Sequence, residues 1–361
     1  MNLSPEDKRS PYMEWAKTRS PARFNLATSG LTNVLLSEFP LRVDELEITG
    51  GGYGYGPLLE RIGRHTGAPV ECIVTAEGTS MANHLALAAL LAPGDEVLLE
   101  QPTYGLLLDV VHYLGARVKR IARTFENNFD IAPAEMERAI TPATRLVVLT
   151  NLQNPTGALI PLETLRAIGE MAERVGARVL VDEVYLEMLF VAAPPSAFSL
   201  GETFIVTNSL TKTYGLSGLR CGWVLAAPEL ARRMWLLNDL FAATAAHPAE
   251  RMSVVAFDQL ERFRARSRAL LTANRALLDS FLDSRADLEC FRPPAGTVVF
   301  PRLARGNPET FFKLLREKYE TSVVPGKFFE MPQHFRVGIG GDTVNLRAGL
   351  ERVGAALDQF A

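Results

Sequence analysis

The sequence is poor in cysteine, has no excess of basic residues and contains no long apolar run. Cys72, Cys221 and Cys290 are too scattered for a metal-binding spacing or a disulfide framework, so we expect reduced thiols and no bound metal. The 38 lysines and arginines against 41 acidic residues give a formal charge of −3, which argues against nucleic acid as a partner. No apolar run reaches membrane-spanning length, and the N-terminal MNLSPEDKRSPYMEW lacks the apolar core of a signal peptide. We therefore expect a cytoplasmic protein that binds neither nucleic acid nor membrane.

The glycine-rich stretch ITGGGYGYGPL, residues 48–58, lacks the features of a phosphate-binding loop. A dinucleotide fingerprint needs Gly-x-Gly-x-x-Gly directly after a buried strand, and the preceding LRVDELEI is too charged for such a strand. No Gly-Lys-Ser/Thr follows, as a P-loop would require. The two tyrosines in this stretch therefore need another explanation.

Short β-rich runs alternate with helical ones from about residue 73, which is typical of βαβ units around a mainly parallel sheet. The sequence thus predicts an α/β protein with a large domain over residues 46–252, in which helices flank a mainly parallel central sheet. A smaller α+β domain is expected from residues 1–45 together with residues 285–361. A long connecting helix is predicted over residues 253–284. Its apolar face is assigned to Leu260, Phe263, Leu270, Leu277 and Phe281.

The stretch SLTKTYGLSGLRCGW places Lys212 directly after the strand-like FIVTNSL. A lysine at the carboxyl end of a strand, where α/β sheets bind ligands, is a candidate Schiff-base amine, although an isolated lysine is more often a solvated surface charge. The stretch resembles the lysine signature of fold-type I pyridoxal-phosphate enzymes, specifically the class I and II aminotransferases. The matching residues are Ser209, Lys212, Gly215, Ser217, Gly218, Arg220 and Gly222.

Two further motifs resemble those of the same family. NLQNPTGALI contains Asn154 in an Asn-Pro-Thr-Gly element that would otherwise be read as a plain turn. VDEVYLEM supplies Asp182 and Tyr185, for which helix capping and core packing are the ordinary roles. The resemblance implies that Asp182 pairs with the ring nitrogen of the cofactor and keeps it protonated. Asn154 and Tyr185 would bind its phenolic oxygen, and Asn154 would also face the substrate.

The stretch TAEGTSMANHLAL joins a strand to a helix, so Gly78, Thr79 and Ser80 lie at a helix N-terminus with free N–H groups. Taken alone, this is a helix cap. By the resemblance, these three residues bind the cofactor phosphate together with Ser209 and Arg220.

The resemblance also assigns residues to the cofactor face and to the substrate. Tyr104 in EQPTYGLL would stack on the pyridine ring, and Arg336 in FRVGIGG would hold the substrate's α-carboxylate in a two-pronged clamp. Ser29 and Gly30, in NLATSGLTNV, are expected to contact the substrate.

The function implied by the resemblance is transfer of an amino group from an L-amino acid to a 2-oxo acid, with pyridoxal 5'-phosphate held on Lys212 as a Schiff base. A lyase, a decarboxylase or a cyclase of the capreomycidine synthase kind is the alternative, because NLATSGLTNV departs from the usual Gly-x-Pro. In the family, a second arginine from the partner subunit often holds dicarboxylate substrates. DLFAATAAHPAERM, which resembles that region, has alanines before His247 and Pro248 with Arg251 beyond, which favours a neutral or unusual substrate side chain.

The glycine-rich stretch finds its explanation in the same family. A tyrosine followed by a glycine and Leu-x-x-Leu-Arg reaches across a dimer to the other subunit's cofactor phosphate, and PLLERIGRH follows Gly56 here. Tyr53 or Tyr55 can fill this role, and we favour Tyr53. The resemblance thus implies a homodimer with active sites at the subunit interface.

Overall fold

The computed structural model describes residues 8–43, 46, 48 and 51–360, so residues 44 and 45, at the predicted domain boundary, lie outside it. The strands are β1 (Phe24–Asn25), β2 (Ile73–Glu77), β3 (Glu96–Gln101), β4 (Arg117–Ala122), β5 (Thr144–Thr150), β6 (Arg178–Asp182), β7 (Phe204–Ser209), β8 (Cys221–Leu225), β9 (Leu288–Glu289), β10 (Val298–Val299), β11 (Arg302–Leu303), β12 (Thr321–Ser322), β13 (Val324–Pro325) and β14 (Phe335–Gly338). The α-helices are α1 (Pro11–Thr18), α2 (Gly56–Thr66), α3 (Gly78–Leu90), α4 (Gly105–Tyr113), α5 (Pro133–Ala139), α6 (Leu162–Arg174), α7 (Pro228–Asn238), α8 (His247–Phe257), α9 (Leu260–Asp283), α10 (Pro308–Glu317) and α11 (Thr343–Phe360).

The central sheet has seven strands in the spatial order β2-β8-β7-β6-β5-β3-β4. All its pairs are parallel except the two that β8 makes with β2 and β7. The prediction of a mainly parallel sheet is therefore confirmed. Strand β8 was missed because the glycines and serine of GLSGLRCG are typical of a turn.

Both faces of the sheet are covered by helices, as a buried parallel sheet requires. Helices α3, α4 and α7 pack on one face through residues such as Ala86, Leu107 and Met234. Helices α2 and α6 cover the other face through Ile62 and Ile168. This double cover leaves the carboxyl-end edge of the parallel strands as the place where polar side chains can converge.

The long helix predicted over residues 253–284 is two helices, because α8 ends at Phe257 and α9 begins at Leu260. The predicted apolar face of α9 is also corrected, since Leu270, Leu277 and Phe281 are only half-buried. The buried residues of α9 are Leu260, Phe263, Ser267, Leu271, Asn274, Leu278 and Leu282. These buried residues include Asn274, whose amide donates to the carbonyls of Ile339 and Gly341. The buried face of α9 is therefore not purely apolar, as the prediction had it.

The C-terminal part forms small sheets under α10 and α11. Strand β14 pairs antiparallel with β10 and β13, and the N-terminal β1 pairs parallel with β12. This pairing connects the N-terminal segment to the C-terminal part, although the domain bounds themselves stay a prediction. In the described residues, no helix is both long and apolar enough to cross a membrane.

Candidate active site

A cavity of about 200 Å³ lies at the carboxyl ends of the parallel strands. Asp182 is the last residue of β6, Ser209 ends β7, and the segment containing Asn154 follows β5. The residues that line the cavity are Met13, Ser29, Thr79, Ser80, Asn83, Tyr104, Thr150, Asn154, Asp182, Val184, Tyr185, Thr211, Lys212, Ser217 and Arg220. Nine of the sequence-predicted site residues are thus brought together, because neighbouring parallel strands end at one edge of the sheet.

Lys212 points into this cavity, and its Nζ donates to the Ser29 hydroxyl at 3.0 Å. Burial lowers the pKa of Lys212 to about 8, and the positive charges of Arg336 and Arg220 act in the same direction. A larger fraction of the amine is therefore neutral near physiological pH than in an ordinary lysine, although the charged form is still the majority. A neutral amine is both a nucleophile and a base, which an ordinary surface lysine is not at this pH.

Asp182 is fully enclosed at the end of β6. Its Oδ2 accepts a hydrogen bond from Asn83 Nδ2 at 2.8 Å, and its Oδ1 accepts one from the backbone N–H of Val184 at 3.1 Å. Burial raises the pKa of Asp182 to about 6, while these hydrogen bonds and the nearby Lys212 oppose the rise. The carboxylate is therefore charged at neutral pH and able to hold a cationic partner.

A second part of the cavity has the donors of an anion site. Thr79 Oγ1 donates to Ser209 Oγ at 2.7 Å, and Ser209 Oγ also lies 2.7 Å from Thr211 Oγ1. The Arg220 guanidinium donates to the Glu77 carbonyl at 3.1 Å, which holds it over the first turn of α3. Hydroxyls, a guanidinium and a helix N-terminus together suit a phosphate group.

Gly78 allows Arg220 to approach this closely. Its φ of +76° is costly for residues with a side chain, and a Cβ here would lie 2.3 Å from Arg220 Nη2. The Gly78 N–H also donates to the Arg220 carbonyl at 2.7 Å. Gly78 therefore shapes the anion site through its missing side chain.

Arg336 is a fully buried guanidinium beside the cavity. Its Nη1 donates to Asn154 Oδ1 at 3.1 Å, and its Nη2 donates to Tyr12 Oη and the Ala27 carbonyl, each at 2.9 Å. Its Nε has no hydrogen-bond partner, and the three groups that its Nη atoms contact are all uncharged. A buried positive charge without an acidic partner is costly, so this group suits an anionic ligand.

Tyr185 and Tyr104 differ in the contacts that their hydroxyl groups make. The Tyr185 hydroxyl is buried against Ser29 and makes no hydrogen bond of good geometry. Tyr104 packs edge-on against Tyr12 with ring centroids 5.7 Å apart, and its hydroxyl lies 3.5 Å from Met13 Sδ. An unpartnered buried hydroxyl indicates a ligand that supplies the missing partner.

Gly30 and Tyr53 do not line the cavity. The Gly30 carbonyl packs closely on Gly340, and its predicted contact with the substrate stays a prediction. Tyr53 is exposed, and its hydroxyl donates to Asp239 at 2.9 Å. The glycines beside it, Gly52 and Gly54, line a different cavity that shares Arg220.

Several residues of the site were missed by the sequence. Tyr12 and Met13 come from helix α1, far away in sequence, and no local motif marks them. Thr211 directly precedes Lys212 in the sequence, and its hydroxyl, two residues after that of Ser209, was a usable signal for the anion site. Asn83 is a polar residue in an otherwise alanine- and leucine-rich helix, which was a usable signal.

The family model of aminotransferase class I and II matches residues 46–353. The chain belongs to the class I and II aminotransferases. It is 29% identical over 308 residues to the arginine–pyruvate transaminase AruH of Pseudomonas aeruginosa, covering 82% of this chain and 78% of that protein. It is 25% identical over 374 residues to the capreomycidine synthase of Streptomyces vinaceus, covering 98% and 94%. The crystal structure of a PLP-dependent aminotransferase from Streptococcus suis superposes with a TM-score of 0.92 at 27% identity, covering 100% of this chain and 99% of that one.

This aminotransferase therefore has the fold of the fold-type I enzymes, acts on an amino acid and a 2-oxo acid, and uses pyridoxal phosphate. The residues present fit that cofactor. The hydroxyl cluster and Arg220 match its phosphate, the Asp182 carboxylate matches a protonated ring nitrogen, and the unpartnered Tyr185 hydroxyl matches its phenolic oxygen. The Lys212 amine is the matching partner for its aldehyde.

Proposed function

We propose that Lys212 is the covalent anchor and the proton carrier of this aminotransferase. When bound, pyridoxal phosphate supplies an aldehyde carbon that links to amines and a protonated ring that withdraws electrons. Ser29 is the hydrogen-bond acceptor of Lys212. The amine therefore has to break only this hydrogen bond in order to turn toward the substrate's α-carbon. Because its pKa is lowered, the neutral amine of Lys212 can take the proton from the substrate's α-carbon and deliver it to the cofactor carbon that receives the amino group.

We propose that the remaining residues of the site bind and orient the cofactor. Asp182 holds the ring nitrogen in its charged form, while Asn154 and Tyr185 bind the phenolic oxygen. Gly78, Thr79, Ser80, Ser209 and Arg220 hold the phosphate, and Tyr104 covers the ring face. The observation that carries the assignment is the convergence of these groups on one cavity around a buried lysine.

The experiment that tests this assignment is reduction of the holoenzyme with borohydride, followed by peptide mass spectrometry. The purified protein should be yellow, and reduction should fix the cofactor to the peptide that contains Lys212. A Lys212→Ala variant should bind the cofactor without the Schiff-base absorption band and without covalent trapping. Trapping on another lysine would refute the role of Lys212.

We propose that the amino donor has a single negatively charged group, its α-carboxylate, held by Arg336. The cations that line the cavity or contact it are Lys212, Arg220 and Arg336, and no further lysine or arginine lines it among the described residues. After the phosphate and the α-carboxylate are bound, no cation that lines or contacts the cavity remains among the described residues for a distal carboxylate. The likeness to an arginine–pyruvate transaminase makes arginine with pyruvate the first pair to test.

A donor screen at fixed pyruvate tests the substrate class. Arginine and neutral amino acids should consume the visible band of the holoenzyme, and pyruvate should restore it. Aspartate and glutamate should react at least tenfold more slowly, since among the described residues of this chain each would leave a carboxylate without a cationic partner. Preferential use of aspartate would refute this proposal.

A second candidate is a ring-closing reaction on the same cofactor. It is supported by the likeness to capreomycidine synthase, which spans nearly the whole chain, including the segment around Ser29. The holoenzyme should then turn over an amino acid repeatedly without any 2-oxo acid, and mass spectrometry should detect the cyclised product. A single turnover that stops until a 2-oxo acid is added favours the aminotransferase.

We propose that the enzyme is a homodimer in which Tyr53 reaches the neighbouring subunit's phosphate site. Tyr53 is exposed, whereas Tyr55 packs edge-on against His247 at 4.8 Å and its hydroxyl accepts from Arg251 at 3.3 Å. The exposed apolar residues Leu240 and Phe241 lie in the segment next to Asp239, the partner of Tyr53.

Light scattering should give twice the mass of the chain, and Tyr53→Phe should weaken pyridoxal phosphate binding while leaving the dimer intact. Tyr55→Phe is the matched control, and it should leave cofactor affinity near that of the wild type. A monomeric holoenzyme, or equal effects of the two variants, would contradict the proposed role.

We propose the cytoplasm as the compartment of this enzyme. The support is chemical, because Cys72, Cys221 and Cys290 are all free thiols, which persist in a reducing environment. Fractionation of the native host with an antibody against the protein tests this proposal, and recovery in an oxidising compartment would contradict it.

A further inference from the structure

We infer that Asn83 is a positioning residue that keeps Asp182 charged and aimed into the cavity. Asn83 lies in the second turn of α3 and is 3% exposed. Its Nδ2 donates to Asp182 Oδ2 at 2.8 Å. Asparagine is a poor helix former because its side chain competes for backbone groups, whereas seven of the thirteen residues of α3 are alanine or leucine. A polar residue at this buried position therefore serves the carboxylate rather than the helix.

The orientation of the Asn83 amide is fixed by a third residue. Thr207 Oγ1 donates to Asn83 Oδ1 at 2.6 Å. Thr207 lies on β7 directly beside Asp182 on β6 in the register of the parallel pair. Because the ionised Asp182 carboxylate can only accept, the NH₂ group faces Asp182 and the amide oxygen accepts from the Thr207 hydroxyl. A flipped amide would place its oxygen against the carboxylate and lose the hydrogen bond to Asp182, although the Thr207 hydroxyl could then accept from the NH₂ group.

The surroundings of Asp182 make this one donor important. The charged groups that face it are Lys212 from the loop after β7 and Glu100 from β3, and Glu183 and Tyr185 follow it in the chain. Burial raises the pKa of Asp182 to about 6 even with the Asn83 hydrogen bond in place. Without that donor the pKa rises further, so part of the population is protonated near neutral pH. A protonated Asp182 cannot stabilise a cationic ring nitrogen.

This inference rests on the proposed role of Asp182 toward the ring nitrogen of pyridoxal phosphate. Its test is the pH dependence of pyridoxal phosphate affinity, measured by the absorbance and fluorescence of protein titrated with the cofactor between pH 6.5 and 9. Asn83→Leu keeps the approximate volume and removes the donor. It should weaken binding roughly 10- to 100-fold at pH 7, as expected for a lost hydrogen bond to a charged group. The deficit should shrink at pH 9, where Asp182 ionises without help.

Two further variants separate positioning from a structural role. Thr207→Val frees the amide to rotate and should weaken binding in the same pH-dependent way but less, while Thr207→Ser keeps the hydroxyl and should restore wild-type behaviour. Asn274→Leu is the matched control, because Asn274 is a fully buried asparagine with three hydrogen bonds away from Asp182. It should lower the melting temperature without changing the pH dependence of cofactor affinity.

The outcomes are distinguishable. If the wild type neither gains a visible band with pyridoxal phosphate nor exchanges amino groups, the proposed function fails. If the wild type does both but Asn83→Leu loses affinity equally at every pH, as a general packing defect would cause, the positioning role is overturned. Should Asn83→Leu not fold, wild-type affinity of Thr207→Val across the pH range overturns it instead.

Discussion

Replacing Gly78 by alanine is the sharpest test of the phosphate site, because the structure separates two effects of the change. The first is backbone strain, since φ at Gly78 is +76° and an L-residue pays about 1–2 kcal/mol in the left-handed region. The second is a clash, because the new Cβ would lie 2.3 Å from Nη2 and 2.9 Å from Cζ of Arg220. Carbon atoms in contact normally lie about 3.5–4.0 Å apart, so the guanidinium must move by roughly 1 Å.

Moving Arg220 removes a charged hydrogen-bond donor from the phosphate site. A hydrogen bond to a charged group is worth about 1.5–3 kcal/mol, which corresponds to a dissociation constant for pyridoxal phosphate roughly 10- to 150-fold higher. Gly78→Ala should therefore lose both stability and cofactor affinity. Thermal melting of the apoprotein measures the first, and titration with the cofactor measures the second.

Gly67→Ala is the matched control for backbone strain. Gly67 ends helix α2 with the same φ of +76°, and nothing lies within 4 Å of the Cβ that alanine would add. This variant should lose about as much stability from strain alone and keep wild-type affinity for pyridoxal phosphate. Equal affinities in all three proteins would refute the close approach of Arg220 to Gly78 as the basis of the site.

Three further predictions follow from other buried charges. Arg336→Lys should lower kcat/KM for donor and acceptor alike by roughly 10- to 150-fold in steady-state assays, because both carry the carboxylate that we propose Arg336 holds, while cofactor affinity should not change. Glu100 and Arg123 form a fully buried ion pair at 2.7 Å, so Glu100→Gln should cost about 3–5 kcal/mol in urea unfolding, and the double change to leucine at both positions should cost less. Burial lowers the pKa of His334 to about 4, against 6.5 in the unfolded chain. The free energy of unfolding of the protein should therefore fall by about 3 kcal/mol as the pH drops from 6.5 to 4, because the unfolded chain takes up a proton that the folded protein does not. His334→Phe should remove this part of the acid sensitivity, and melting curves of the two proteins that fall in parallel would contradict the prediction.

The chemistry-bearing residues on strand ends could be predicted from sequence because they lie in short local motifs. Asp182 ends a buried strand, Lys212 and Asn154 each follow one, and neighbouring parallel strands end at a common edge. The alternation of short β-rich runs with helical ones predicted a mainly parallel sheet. This pattern is also local, because strands that are buried on both faces read as continuous apolar runs. The catalytic and binding roles of these residues stay predictions until the variants are measured.

The contacts between distant segments were decided by the tertiary structure alone. Asn83 meets Asp182 across 99 positions, and Tyr12 meets Arg336 across 324, so no local pattern could pair them. The electrostatics have the same origin, because burial is what lowers the pKa of Lys212 and raises that of Asp182, and burial depends on everything packed around them. Sequence by itself determined which groups are available for chemistry, whereas tertiary packing decided which of them are charged, oriented and within reach of one another.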